Sequence, residues 1–380
     1  MEKLSFLGAS GHMAVLTVVG FLFVLTVVVF FHELGHFLVA RWCGIAVKAF
    51  SIGFGPEIVG FNDRFGTRWR LSWIPLGGYV KFIDDDNVAS AGHKTLEHLS
   101  EADRKRSFQG KSLGARAAVV AAGPIANFVL AIVIFTAIFT FFSEQTTAAK
   151  VDVIAPGSAA EKAGFLPGDL VLSIDGNAIE SFNEMQQIVL LSSGVTLNFV
   201  VDRGGQKVEV KATPELKEIK DSFGNQFRGG QLGIQRNATA AEWVAKRHDP
   251  LTALKMAFQR SYMIVQTSLE YLVKVVSGRE SADQLGGPLR IAQISGQVAS
   301  IGFLPLLDLA AVLSISIGLI NLFPIPMLDG GHLLFYGIEA IRGRPLSESV
   351  QEIGFRIGLA FVLMLMIFVT WNDLIHLKFL

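Results

Sequence analysis

A chain of 380 residues that is 51% hydrophobic but only 17% charged is unlike a soluble domain, in which about a quarter of residues carry charge. Its formal net charge of zero offers no basic surface for nucleic acid, and its lone cysteine, Cys43, excludes both a disulfide framework and a cysteine-based metal cluster. Any metal must rely on His, Asp and Glu, and the apolar excess, gathered into a few long runs, implies a membrane protein with a soluble part.

The first run, Met13 to Phe31, has 19 uncharged residues. It exceeds the usual signal-peptide core of about 7–15 residues and no small-residue cleavage site follows, so it reads as a retained helix. His32-Glu33-Leu34-Gly35-His36 continues it. Two alternating stretches, Ala46 to Gly55 and Trp69 to Phe82, then read as strands of a hairpin, and their glycines and aromatics suggest that it dips back toward the membrane. Asp84-Asp85-Asp86 opens a polar, His-containing loop that reads as solvated rather than metal-binding. Ala117 to Phe142 supplies a second span of 26 uncharged residues.

A soluble segment of about 85 residues follows, 151–236. Val151 to Ile154 reads as a strand, and Pro156-Gly157-Ser158-Ala159-Ala160 as a turn into a short helix ending at Gly164. Pro167 to Gly176 gives a turn, a strand and a tight hairpin turn. A helix from Phe182 to Leu191, two strands joined by Arg203-Gly204-Gly205, and a last strand entering at Gly230-Gln231-Leu232-Gly233-Ile234 complete it. Leu251 to Val276 is apolar but contains Lys255, Arg260, Glu270 and Lys274. Each charge in a span costs about 2.5–3.5 kcal/mol on insertion, so an amphipathic helix along the outer face fits better. Leu309 to Leu328 (20 residues) and Ile357 to Asn372 (16 residues, against the usual ~20) are the third and fourth spans. The chain thus divides into 1–142, 143–240, 241–306 and 307–380.

Lys and Arg near helix ends set orientation. The connection from Arg41 to Arg116 holds 12 of them, and Arg342, Arg344 and Arg356 precede the fourth span. Residues 143–306 offer few near their ends. The 41–116 and 342–356 loops are therefore expected in the cytoplasm, with both termini and 143–306 outside.

The chemistry concentrates at two places. Residues four apart on a helix share a face, so His32 and His36 can hold one ion while Glu33, beside them, takes a proton from water. Ionisable groups at the end of an apolar run are costly unless paired or ligated. A catalytic zinc needs three protein ligands and one open position. Asn321-Leu322-Phe323-Pro324-Ile325-Pro326-Met327-Leu328-Asp329-Gly330-Gly331 offers the third in Asp329, because prolines break the span there and broken backbone at membrane depth lines cavities. With one span between them, the first and third run in the same direction and bring Asp329 to the cytoplasmic edge beside the histidines. A true span at 251–276 would strand it on the other face.

Together these motifs resemble the site-2 protease family, in its PDZ-bearing bacterial branch of the regulator-of-sigma-E protease type. The resemblance spans His32 to His36, Gly77-Gly78-Tyr79-Val80-Lys81-Phe82, Ala122-Gly123-Pro124-Ile125-Ala126-Asn127, the soluble segment, Gly286-Gly287-Pro288 and Asn321 to Gly331. It implies an α-helical polytopic membrane protein of about four transmembrane helices with an inserted α+β PDZ domain, resident in the bacterial inner membrane. It also implies one Zn2+ on His32, His36 and Asp329, Glu33 as base, and Asn321 as donor to an oxyanion or to substrate backbone. Gly77, Gly78, Tyr79 and Val80 become a substrate-binding edge, and Leu232, Gly233 and Ile234 a carboxylate-binding loop. The implied activity is regulated intramembrane proteolysis. The implied substrates are single-span proteins already trimmed by an upstream site-1 protease, such as anti-sigma factors or signal-peptide remnants. The best-known relatives carry two tandem PDZ domains where this chain shows one. Asn127 and Pro124 either shape the second span beside the site or serve helix packing. His332 is left open as a supporting residue, and His12, His93, His98, His248 and His376 read as ordinary. The rival reading is a PDZ-bearing membrane adaptor with a structural or vestigial zinc, which Glu33 argues against, since a structural site needs no base. A transporter is weaker still, because four spans without a repeat leave little for alternating access.

Overall fold

The computed structural model describes residues 2–84, 100–142, 144–220, 226–239, 242–278, 281–282 and 285–376. His93, His98, Asp85 and Asp86 lie outside them. The described residues form two compact units, one of Met1–Ile138 with Leu254–Leu380 and one of Phe139–Ala253.

In the first unit the apolar run and the His-containing segment form one helix, α1 (Glu2–Trp42), because no breaker separates them. Gly44, at φ +70°, turns the chain out of it, and the Ile45 amide returns to the Ala40 carbonyl at 2.9 Å. The expected hairpin is longer than its alternating stretches: β1 (Val47–Asn62) pairs antiparallel with β2 (Arg68–Phe82). Its register curls. Residues 47–52 of β1 pair on one side with 78–82 and on the other with 68–71, which in turn pair with 59–62. Gly53 and Gly55, both at φ +86°, make the bend. Residues 78–82 therefore form an outer edge. Asp84 itself is not solvated: its buried carboxylate accepts from the Phe108 and Gln109 amides at 2.9 and 2.8 Å; the rest of its loop lies outside the described residues.

A short α2 (Glu101–Arg106), capped by Ser100, precedes α3 (Leu113–Phe141), which carries Pro124 within it. A side chain at Gly35 of α1 would collide with the Ala122 carbonyl, so the two helix backbones touch.

The second unit bears out the expected strands and helices of a PDZ domain. In chain order it holds β3 (Glu144–Thr146), β4 (Val153–Ile154), α4 (Ala159–Ala163), β5 (Leu170–Ile174), β6 (Asn177–Ala178), α5 (Phe182–Leu191), β7 (Leu197–Arg203) and β8 (Gln206–Ala212). After them come β9 (Glu215–Lys220), β10 (Gln226–Gln231), β11 (Ile234–Gln235) and β12 (Val244–Lys246). One sheet runs β6-β5-β7-β8, while β9–β10, β4–β11 and β3–β12 are separate antiparallel pairs. Ser158 and Ser181 cap α4 and α5, Gly164 ends α4 in the left-handed region, and Phe199, Val201, Val151 and Ile174 centre the core.

The first unit resumes with α6 (Pro250–Val276), α7 (Pro288–Ile301), α8 (Phe303–Asn321), α9 (Asp329–Arg342) and α10 (Glu348–His376). Among the described residues, four helices are long and apolar enough to cross a membrane: α1, α3, α8 and α10. They match the four expected spans; α6 is not among them, and its Arg260 pairs with Asp308 of α8 at 2.8 Å. The third span begins and ends earlier than 309–328. Pro324 and Pro326 cannot continue a helix, so α8 stops at Asn321 and a short loop delivers Asp329 to the start of α9 rather than to the end of a span. The helix α7 is an addition to the expected elements; Gly296 sits directly on Thr17 and Gly20 faces Ser295, a close small-residue contact with α1.

Candidate metal centre

Three elements converge. On α1, the imidazole Nε2 atoms of His32 and His36 lie 3.2 Å apart. From α9, Asp329 Oδ2 lies 3.2 Å from His32 Nε2 and 3.6 Å from His36 Nε2. The third element, α3, supports them from behind: His36 Nδ1 donates to the Val119 carbonyl at 2.8 Å, and the Asn127 amide sits 3.3 Å from His32 Nδ1. The Val119 bond fixes the tautomer of His36, leaving the Nε2 lone pair facing inward. Asp329 Oδ2 is buried with no hydrogen-bond donor. Two converging ring nitrogens and an unpartnered carboxylate oxygen make a donor set that a cation would complete. A tetrahedral zinc with bonds of about 2.0–2.1 Å separates its ligand atoms by about 3.3 Å, which the three observed separations bracket.

Backbone makes the room. A Cβ at Gly123 would strike His36 Nε2 and come within 2.9 Å of His32, so only glycine lets α3 pass behind both rings. Gly330 and Gly331 press on the carbonyls of Leu322, Phe323 and Ile325, and Gly358 of α10 presses on Pro326, which holds the loop that aims Asp329.

A cavity of about 510 Å3 opens from this point. Glu33, Asn321, Gly78, Tyr79 and Val80 line it along with the three converging residues, and His332 joins them. Gly77 turns at φ +118° against Phe54, and Gly78 lies close to Glu33: a Cβ there would be 2.8 Å from Glu33 Cγ. The outer edge of β2 thus runs beside the candidate base. Asn321 is half-buried at the end of α8. Farther along the cavity, Arg116 pairs with Glu339 at 2.6 Å and lies over the Tyr336 ring, a half-buried ion pair that the sequence did not single out. Leu232, Gly233 and Ile234 belong to the β-rich unit. There Leu232 is buried in the core and its carbonyl accepts from Ala160, while the Gly233 carbonyl accepts from Ala155. His12 is exposed.

The sequence matches the model of peptidase family M50 over residues 20–365. A protein of Rhizobium meliloti (strain 1021), named as a presumed zinc metalloprotease, is 48% identical over 94% of this chain and 96% of its own length. Metalloprotease MmpA of Caulobacter vibrioides is 39% identical over 94% of both chains. The crystallised PDZ domain of an SdrC-like protein from Listeria monocytogenes aligns with 24% of this chain and 87% of its own, at 22% identity and a TM-score of 0.18.

Proposed function

The chain belongs to peptidase family M50 and is a multi-pass zinc metalloprotease of the membrane; from that premise we propose that His32, His36 and Asp329 hold its zinc and that Glu33 is the catalytic base. The observation that carries this reading is the convergence of two imidazole lone pairs and a buried, unpartnered carboxylate oxygen at 3.2–3.6 Å, at the mouth of a cavity that Glu33 shares. Zinc, when held there, supplies Lewis acidity to water and to a scissile carbonyl. Glu33 takes a proton from the attacking water and later delivers it to the leaving amine. Asn321 donates a hydrogen bond to the developing oxyanion or to substrate backbone. Because a transmembrane helix hides its carbonyls, substrate must unwind, and the open edge from Gly78 to Phe82 receives the unwound segment as an added strand beside Glu33.

The finer reading places the enzyme in a bacterial inner membrane, where it cuts transmembrane segments of single-span proteins that a site-1 protease has already trimmed. Anti-sigma factors and signal-peptide remnants are the candidate substrate classes. The distribution of Lys and Arg supports a cytoplasmic face for the catalytic edge and an outer face for residues 143–240. In this scheme residues 1–142 and 307–380 carry the chemistry, and 143–240 and 241–306 screen substrates.

Glu33→Gln keeps every proposed ligand. The purified variant is expected to retain one zinc and lose cleavage by roughly 10²–10⁴-fold; normal turnover would remove Glu33 from the mechanism. Cys43, just past the end of α1, reports orientation. An impermeant thiol reagent should miss it in sealed spheroplasts and reach it after permeabilisation, and efficient labelling of sealed cells would invert the topology.

A further inference from the structure

Each candidate zinc-binding histidine turns its second nitrogen toward α3, but the two are held differently. His36 Nδ1 is fixed by a backbone carbonyl, that of Val119. His32 Nδ1 faces a side chain, the amide of Asn127, at 3.3 Å. Asn127 is 0% exposed, and its remaining amide atom, Oδ1, is buried without a partner. An uncompensated buried polar atom at this depth is costly, so the amide is present for a reason other than filling space.

The chemistry of His32 supplies that reason. Its Nε2 points at His36 and Asp329. For Nε2 to present a lone pair to a cation, the ring proton must sit on Nδ1 and donate to an acceptor. An amide –NH2 cannot accept; the oxygen of the same amide can, and a half-turn about χ2 exchanges the two without moving the backbone. We propose that Asn127 is the positioning residue for His32: its amide oxygen accepts the His32 Nδ1 proton and so holds the Nε2 lone pair toward zinc. This rests on the reading of His32, His36 and Asp329 as the zinc ligands.

The surroundings hold Asn127 in place for the task. Ser314 of α8 donates its hydroxyl to the Asn127 carbonyl at 2.9 Å, and a Cβ at Gly318, one turn on, would come within 3.1 Å of the Asn127 Cβ, so the glycine lets α8 pack close against Asn127. Gly123, one turn earlier on α3, clears the rings themselves. Asn127 is thus fixed by two helices, one of which leads directly into the loop carrying Asp329.

The test uses the full-length protein in detergent and reads zinc affinity by competition with a chromophoric chelator. Asn127→Leu removes the acceptor at similar volume, and Asn127→Asp restores one. The expected result is a roughly 10–100-fold loss of zinc affinity for Asn127→Leu and near-parental affinity for Asn127→Asp, since histidine–carboxylate pairs serve the same purpose at zinc sites. Parental affinity in a folded Asn127→Leu protein overturns the proposal, and so does an equal loss in both variants, which would mark a packing role. Asp329→Ala runs alongside: if it too keeps parental affinity, the ligand assignment has failed and Asn127 with it. Should Asn127→Leu not fold, nitrogen NMR of 15N-histidine-labelled parent loaded with zinc decides. A proton on His32 Nδ1 supports the proposal, and a bare Nδ1 overturns it.

Discussion

Two aspartates, one in each unit, are treated in opposite ways. Asp169, in the β-rich unit, is only 1% exposed and fully answered: Arg203 reaches both its oxygens at 2.8 Å, and the Leu166 amide adds a bond at 2.9 Å. Asp329, in the helical unit, is partly buried and leaves Oδ2 without a hydrogen-bond partner, facing two imidazole nitrogens at 3.2 and 3.6 Å. The first arrangement is closed and stabilises a fold. The second is open, and on the proposed assignment a cation would complete it. Chemistry in this molecule is therefore marked not by burial of charge but by burial of charge with its valence unfilled.

The same substitution at both positions should break this comparison most sharply. Asp329→Asn replaces a charged proposed ligand by a neutral group, and we expect zinc content and proteolysis to fall together, by 10²-fold or more in affinity. Melting of the β-rich unit should be unchanged. Metal analysis and calorimetry on one preparation give both answers. A zinc-replete Asp329→Asn protein would mean that the open valence serves something else.

Asp169→Asn should do the reverse at smaller size. Breaking a buried pair costs up to about 3–5 kcal/mol, and Arg203 keeps some solvent, so a loss of about 2 kcal/mol is expected, with zinc content intact. Acid should mimic it. Burial pushes the Asp169 carboxyl up, but the bonds from Arg203 and the Leu166 amide outweigh it and leave the group below the usual carboxylate range. A folded-state value below the unfolded one gives stability that is fully present above about pH 4 and lost as the pH falls below it. The acid-unfolding midpoint of this unit should rise in Asp169→Asn; an unmoved midpoint would show that the pair contributes nothing.

What the sequence made legible follows the same division. Glycines at turns, alternation and the Arg203-Gly204-Gly205 hairpin gave the two helices and the β5, β7 and β8 strands of the β-rich unit, because those signals are local; β3, β9 and β12 were not anticipated, and the strand expected at Gly230–Ile234 is split between β10 and β11. His32, Glu33, His36 and Asp329 were legible because costly residue types stood at the ends of apolar runs. What stayed hidden depends on approach between distant segments. Nothing local in Pro288 to Ile301 announces a helix seated on Thr17 and Gly20, and nothing in Gly123 or Gly358 tells that one clears two imidazoles and the other presses on Pro326. The curl of β1 on β2, which leaves 78–82 as an edge, is a matter of register, and register is set by tertiary contacts. Asn127 stood out as a polar residue within an uncharged span, but only its distance to His32 gives it a partner.

The smallest expected effect concerns whether the β-rich unit captures a trimmed substrate's new C-terminal carboxylate or merely excludes bulk. The loop at Leu232, Gly233 and Ile234 is where capture would occur, yet two of its residues cannot test it. Leu232 is core, and Gly233 sits at φ +83° with Ser158 against it, so a side chain at Gly233 or a loss at Leu232 would disturb the fold itself. Ile234 is half-buried at the edge of the core and pairs with Ile154 in a two-residue strand, so of the three it is the least enclosed by the fold. Ile234→Glu places a negative charge where a carboxylate would dock, and like charges meeting at a binding site cost enough to slow capture on the order of ten-fold. A steric filter is indifferent to that charge. We expect the filter: a substrate already confined to the membrane gains little from a weak peptide contact. Cleavage of a trimmed substrate by Ile234→Glu should then stay within about two-fold of the parent, while the intact substrate is still rejected. A ten-fold slowing confined to trimmed substrates, in a variant that melts like the parent, would establish capture instead.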